Sequence, residues 1–88
     1  MTEVKVTNVK SFLHFRYGGY SLKNNIREIR KKINISQEDL ANMCGVTRQT
    51  INAIENDKYD PTLSLAFRLS IHLGTTIDEL FTYEEDSK

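Results

Sequence analysis

Cysteine is nearly absent from this 88-residue chain, the single one being Cys44. No internal disulfide can form, and no second cysteine or histidine stands at ligand spacing from it, so no metal site is expected. Cys44 reads instead as a small core residue. Long apolar runs are missing too: nothing approaches the about 20 residues of a membrane span. The opening, "MTEVKVTNVKSFLHF", lacks the continuous apolar block of a secretory signal. A cytoplasmic protein with no membrane partner is expected. Paired acids, a Cys–His set and a glycine-rich phosphate loop are also lacking, which argues against an enzyme and against a cofactor. A chain this short makes one small domain, burying roughly 60 per cent of the surface its unfolded form exposes.

There is no net charge either, 12 Lys and Arg balancing 12 Asp and Glu. A nucleic-acid partner usually leaves a basic footprint, so the zero at first argues against one. The sum hides a gradient. Residues 1–58 hold ten Lys or Arg against six Asp or Glu, and residues 59–88 hold two against six. Such a molecule can turn a basic face to a polyanion and its acidic face away. A solvated charged surface is the commoner explanation, and charge alone does not decide.

What is present is a series of helix signals. Residues 1–22, with loose alternation from Thr2 to Val9 and a turn at "YGGY", form an N-terminal arm that is read as extended or strand-like. Residues 23–82 follow as a helical domain, and residues 83–88 as an acidic tail. Asn25 and Glu28 have capping-box spacing before Ile26, Ile29 and Ile33. Ser36 can cap a second helix by accepting from the amide of Asp39 or its neighbour, and that helix stops at Gly45, where a left-handed residue costs no clash. Thr47 caps a third helix, Pro61 suits the entry to a fourth that stops at Gly74, and Thr76 with Glu79 opens a fifth. The expected fold is all-α, with five helices.

Helices two and three are separated by only a few residues around Gly45. Leu40, Ala41, Cys44, Val46, Ile51 and Ile54 fall where two crossing helices would share a core, which is the pattern of a helix-turn-helix. The motifs "SQEDLA", "GVTRQTINAIEN" and "DPTL", in this order, make residues 23–81 resemble the Cro and phage-repressor type of regulators, the XRE family. The likeness covers about two thirds of the chain and leaves out residues 1–22. It implies a five-helix domain like that of lambda repressor and a sequence-specific DNA-binding regulator. It further implies a repressor that binds a palindromic operator as a homodimer.

The residues fit that reading chemically. A B-DNA major groove admits one helix, whose N-terminal residues meet base edges. Arg48, Gln49, Thr50 and Asn52 lie at that end of helix three and are the expected base readers. Arg forks to guanine, Gln and Asn pair with adenine, and a Thr methyl packs on thymine. Expected phosphate contacts are Asn24, Asn25, Gln37, Thr47, Asn56, Lys58 and Tyr59. In helical register Glu55 points toward helix one; the resemblance pairs it with Arg30 as a structural ion pair. Ile77, Phe81 and Tyr83 are the expected dimer surface. A competing reading is an antitoxin-like interaction module that grips a protein partner through residues 1–22 and also binds its own operator.

Overall fold

The computed structural model describes residues 20–85. Strand β1 (Tyr20–Asn24) leads into α1 (Ile26–Lys32), α2 (Gln37–Cys44), α3 (Arg48–Glu55), α4 (Leu63–Leu73) and α5 (Ile77–Leu80), and strand β2 (Phe81–Glu85) closes the series. The expectation of an all-α domain is therefore corrected. Five helical segments are present among the described residues, but the fifth is a single turn that gives way to a strand. The protein-partner reading of the arm rests mainly on residues 1–19, which lie outside the described residues, as do 86–88 of the tail.

Each helix start has a local cause. Ser36 Oγ accepts from the Asp39 amide at 2.9 Å while Asp39 Oδ2 accepts from the Ser36 amide at 3.2 Å, a reciprocal box that satisfies two otherwise orphaned donors. Thr47, Thr62 and Thr76 each accept from the amide three residues on. Asn25, expected to cap α1, makes no side-chain cap; its Nδ2 donates to the Glu79 carbonyl instead. The neighbouring Asn24 takes over, its Oδ1 accepting from the Ile26 amide at 3.1 Å.

Helix stops are equally local. Gly45 and Gly74 take left-handed conformations with φ of 73° and 69°, and the same conformation follows α1 and α3 at Asn34 and Asp57. Asn and Asp tolerate that region better than other side-chain-bearing residues. Four helices thus end on a left-handed residue, two of them without glycine.

The core lies where α1 to α5 converge. Ile26, Leu40, Ile51, Ile54, Leu69 and Leu80 are fully buried, each contributing roughly 1.5–3 kcal/mol relative to exposure. Ala41, also buried, keeps its side of α2 small where α3 packs. Cys44 sits in the same cluster, and burial pushes its thiol up, with the Arg68 charge partly opposing.

The two strands pair antiparallel, Tyr20 opposite Glu85, Leu22 opposite Tyr83 and Asn24 opposite Phe81. Because side chains alternate, Leu22 and Phe81 share one face and reach the core, and farther out the Tyr20 and Tyr83 rings stack with centroids 5.4 Å apart. Strand β1 runs through residue 22, where the sequence reading divided arm from domain. Residues 83–85, the start of the acidic tail, lie in β2. The Asn25 amide donates to the Leu80 carbonyl at 2.9 Å, continuing the tie between the two ends into α1 and α5.

Candidate nucleic-acid interface

The turn between α2 and α3 is made by Gly45, Val46 and Thr47. The Val46 amide donates to the Ala41 carbonyl at 3.0 Å, and Arg68 on α4 donates to the Cys44 carbonyl. A Cβ on Gly45 would stand 3.6 Å from that arginine's Nη1, ordinary contact, so the demand for glycine comes from φ rather than space. The sequence reading missed Arg68; its signal is that it is the sole Lys, Arg, Asp or Glu in "LSLAFRLSIHL".

Helix α3 buries Ile51, Ile54 and Glu55. Arg48 and Gln49 are exposed, and Thr50 and Asn52 are half-buried on the helix flank. All four expected base readers are thus brought together on one short helix. Arg48 Nη1 approaches Gln37 Oε1 at 3.4 Å.

Behind this surface sits a charged cluster. Glu55, whose carboxylate is wholly buried, accepts from Arg30 Nε at 2.8 Å and from Arg30 Nη2 at 3.2 Å. Gln37 Nε2 donates to it at 3.0 Å and Arg27 Nε at 3.3 Å. Burial alone would push the Glu55 carboxyl up, but the hydrogen bonds from Arg30 and Gln37 and the charges of Arg30 and Arg27 outweigh it and hold the pKa below its ordinary value. Arg30 and Glu55 form the pair that the resemblance implied. Arg27 was missed; its signal was the three-residue spacing to Arg30, which puts both on one face of α1.

The expected phosphate contacts divide. Asn24 Nδ2 donates to the Ile54 carbonyl at 2.8 Å and to Asp57 Oδ1 at 3.4 Å, so both of its N–H groups hold β1 to the end of α3. Asn56 is engaged likewise: its Nδ2 donates to Asn52 and its Oδ1 accepts from Arg27 Nη2 at 3.0 Å. In this arrangement the side-chain N–H groups of both are engaged within the chain. Gln37 and Asn25 each keep one N–H beyond the bond already described. Thr47 shares its hydroxyl with Thr50 at 3.1 Å, and Lys58 and Tyr59 are exposed just past the left-handed Asp57.

The expected dimer surface divides as well. Phe81 is 9% exposed and its ring belongs to this chain's own core; Ile77 packs partly against the same core. Tyr83, 51% exposed, remains at the surface beside Tyr20.

Comparison with known proteins adds an independent line. The family profile described as helix-turn-helix matches residues 26–80. An uncharacterized HTH-type transcriptional regulator of Methanocaldococcus jannaschii is 49% identical over 65 residues, covering 74% of this chain and 98% of the relative. Among solved structures, the restriction-modification controller protein C.AhdI of Aeromonas hydrophila superposes with a TM-score of 0.59 at 28% identity, over 61% of this chain and 82% of its own. The DNA-binding domain of the P22 c2 repressor gives 0.58 at 34% identity, over 60% of this chain and 70% of its own.

Proposed function

The chain belongs to the XRE-type family of helix-turn-helix transcriptional regulators, and from that premise we propose that it represses transcription by binding a palindromic operator as a homodimer, with α3 in the major groove. The observation that carries this reading is the division of α3. Ile51, Ile54 and Glu55 anchor it, so Arg48 and Gln49 are left on the outward side and Thr50 and Asn52 on its flank, all four with base-pairing chemistry. Thr47, Lys58 and Tyr59, with the remaining N–H groups of Gln37 and Asn25, meet phosphates on either side and set the helix's register. Two structural neighbours, by name a repressor and a controller protein, support regulation by occupancy. Dimerisation follows from information content, since one short helix reads too few base pairs to select a site.

Selection of bound duplexes from a random pool tests the reading. The expected product is an inverted repeat with half-site centres about 34–36 Å apart, one helical turn. A pool that stays unenriched after repeated rounds would overturn it, and enrichment of a single asymmetric half-site would remove the homodimer.

A further inference from the structure

Helix α4 has two apolar faces. Leu65, Ala66, Leu69 and Leu73 fill the core from one side. On the other, Leu63, Phe67 and Ile71 are 71%, 52% and 69% exposed. Their four-residue spacing sets them on a single ridge running the length of the helix. The exposed polar residues beside it are Ser64 and His72.

We propose that this ridge is the surface on which a second copy of the chain docks. The two α4 helices run antiparallel about a two-fold axis at Phe67, with Leu63 of one protomer against Ile71 of its partner. The inference rests on the homodimer proposed above and seats it on α4 in place of the expected Ile77, Phe81 and Tyr83.

Three observations favour a copy of this chain as the occupant. First, the ridge carries no charge. In a chain that is 27% Asp, Glu, Lys and Arg, α4 holds only Arg68, and that guanidinium is turned to the Cys44 carbonyl. Loss of charged residues with an aromatic at the centre is the composition of an interface core, and it leaves no like charges to repel when the face meets itself. Second, the ridge is symmetric about its middle. Leu63 and Ile71 stand four residues on either side of Phe67, so a two-fold axis there brings Phe67 onto Phe67 and each aliphatic onto the other, as an isologous contact requires.

Third, the area fits a contact that DNA completes. Three such side chains expose an apolar patch of a few hundred Å², against the about 800 Å² per partner of a stable complex. The free protein then associates weakly, and a duplex holding both copies supplies the remainder.

The test uses the full chain without DNA. Sedimentation over a range of concentrations should show a reversible dimer, and Phe67→Glu should weaken it at least tenfold with an unchanged thermal melt, because the ring is half-exposed. A positive variant accompanies the loss. F67C should cross-link to itself under mild oxidation, Cys44 being buried, while I71C alone should not and L63C with I71C should. A wild-type protein that stays monomeric, association indifferent to Phe67→Glu, or no F67C cross-link would overturn the proposal. The first and last results are those expected if residues 1–19 cover the ridge. These measurements do not involve DNA, so a failure of operator binding and a failure of the α4 interface are separately visible.

Discussion

Gln37 Nε2 donates to the buried Glu55 carboxylate at 3.0 Å, and this fixes the direction of the whole amide. An ionised carboxylate only accepts, so the Gln37 nitrogen must face inward and its Oε1 outward, where Arg48 Nη1 approaches at 3.4 Å. A core ion pair is thereby linked, through one side chain, to a residue proposed to read bases.

Gln37→Ala should leave the fold almost unchanged and alter recognition. Arg48 loses the acceptor that holds its guanidinium, so discrimination at the base pair it meets should fall by part of the about 1–3 kcal/mol of a good bidentate contact. Titrations against single-base variants of the selected operator measure this. Equal loss at every position would mean that Gln37 acts only on phosphate.

Glu55→Ala leaves Arg30 buried and unpaired. Its Nη1 still donates to the Ile35 carbonyl at 3.1 Å, but the compensating charge is gone. Breaking a buried pair in this way costs on the order of 3 kcal/mol, which in a domain this small lowers the melting temperature by more than about 10 °C. A melt within a degree or two of wild type would show that the pair is not structural.

Acid should destabilise the protein through the same residue. The folded pKa of Glu55 lies below the unfolded value of about 4.3, so below that pH the unfolded chain binds the proton more readily. The pair's contribution is fully present above the unfolded pKa and is lost as pH falls through the folded one. Urea midpoints measured from pH 6 down to pH 3 should fall more steeply for wild type than for Glu55→Gln. Parallel curves would assign the acid sensitivity elsewhere.

Arg48 and Gln49 should separate from Lys58 in their effects on DNA. Arg48→Ala and Gln49→Ala are expected to relax preference at defined operator positions, with uneven losses across sequences. Lys58→Ala, removing a phosphate contact, should weaken all sites alike and reduce the salt slope by about one unit. If operator preference survives the first two substitutions and changes with the third, the reading surface is misplaced.

Which features were legible in the sequence follows from the range of the forces involved. Caps at Ser36, Thr47 and Thr76 and stops at Gly45 and Gly74 depend on bonds within three or four residues, and the sequence reading found them. Asn34 and Asp57 do the same work as those glycines but resemble ordinary polar loop residues. The sheet was missed for the opposite reason: "YSLKN" and "FTYEE" are weak strands alone, and each becomes one by pairing with a segment about sixty residues away. That pairing also buries Phe81, which near an acidic end reads as a free aromatic.

In the site, the outward face of α3 was legible because a helical period sorts Ile51 and Ile54 from Arg48 and Gln49. The commitments of Asn24 and Asn56 were not. Whether an amide still has a donor to offer depends on carbonyls and side chains that only the folded chain brings near.

The pairing of Tyr20 with Glu85 also determines how the domain answers tension. The backbone enters and leaves the described body at the same end of one antiparallel ladder. Pulling on those two points peels the bonds one rung at a time, as a zipper opens, instead of shearing them together. The strands yield before load reaches the helices, making the sheet a mechanical fuse for the reading head. Force spectroscopy on the full chain, tethered at both ends, should record a low-force extension before the main rupture; a single rupture event would show that sheet and helices fail as one.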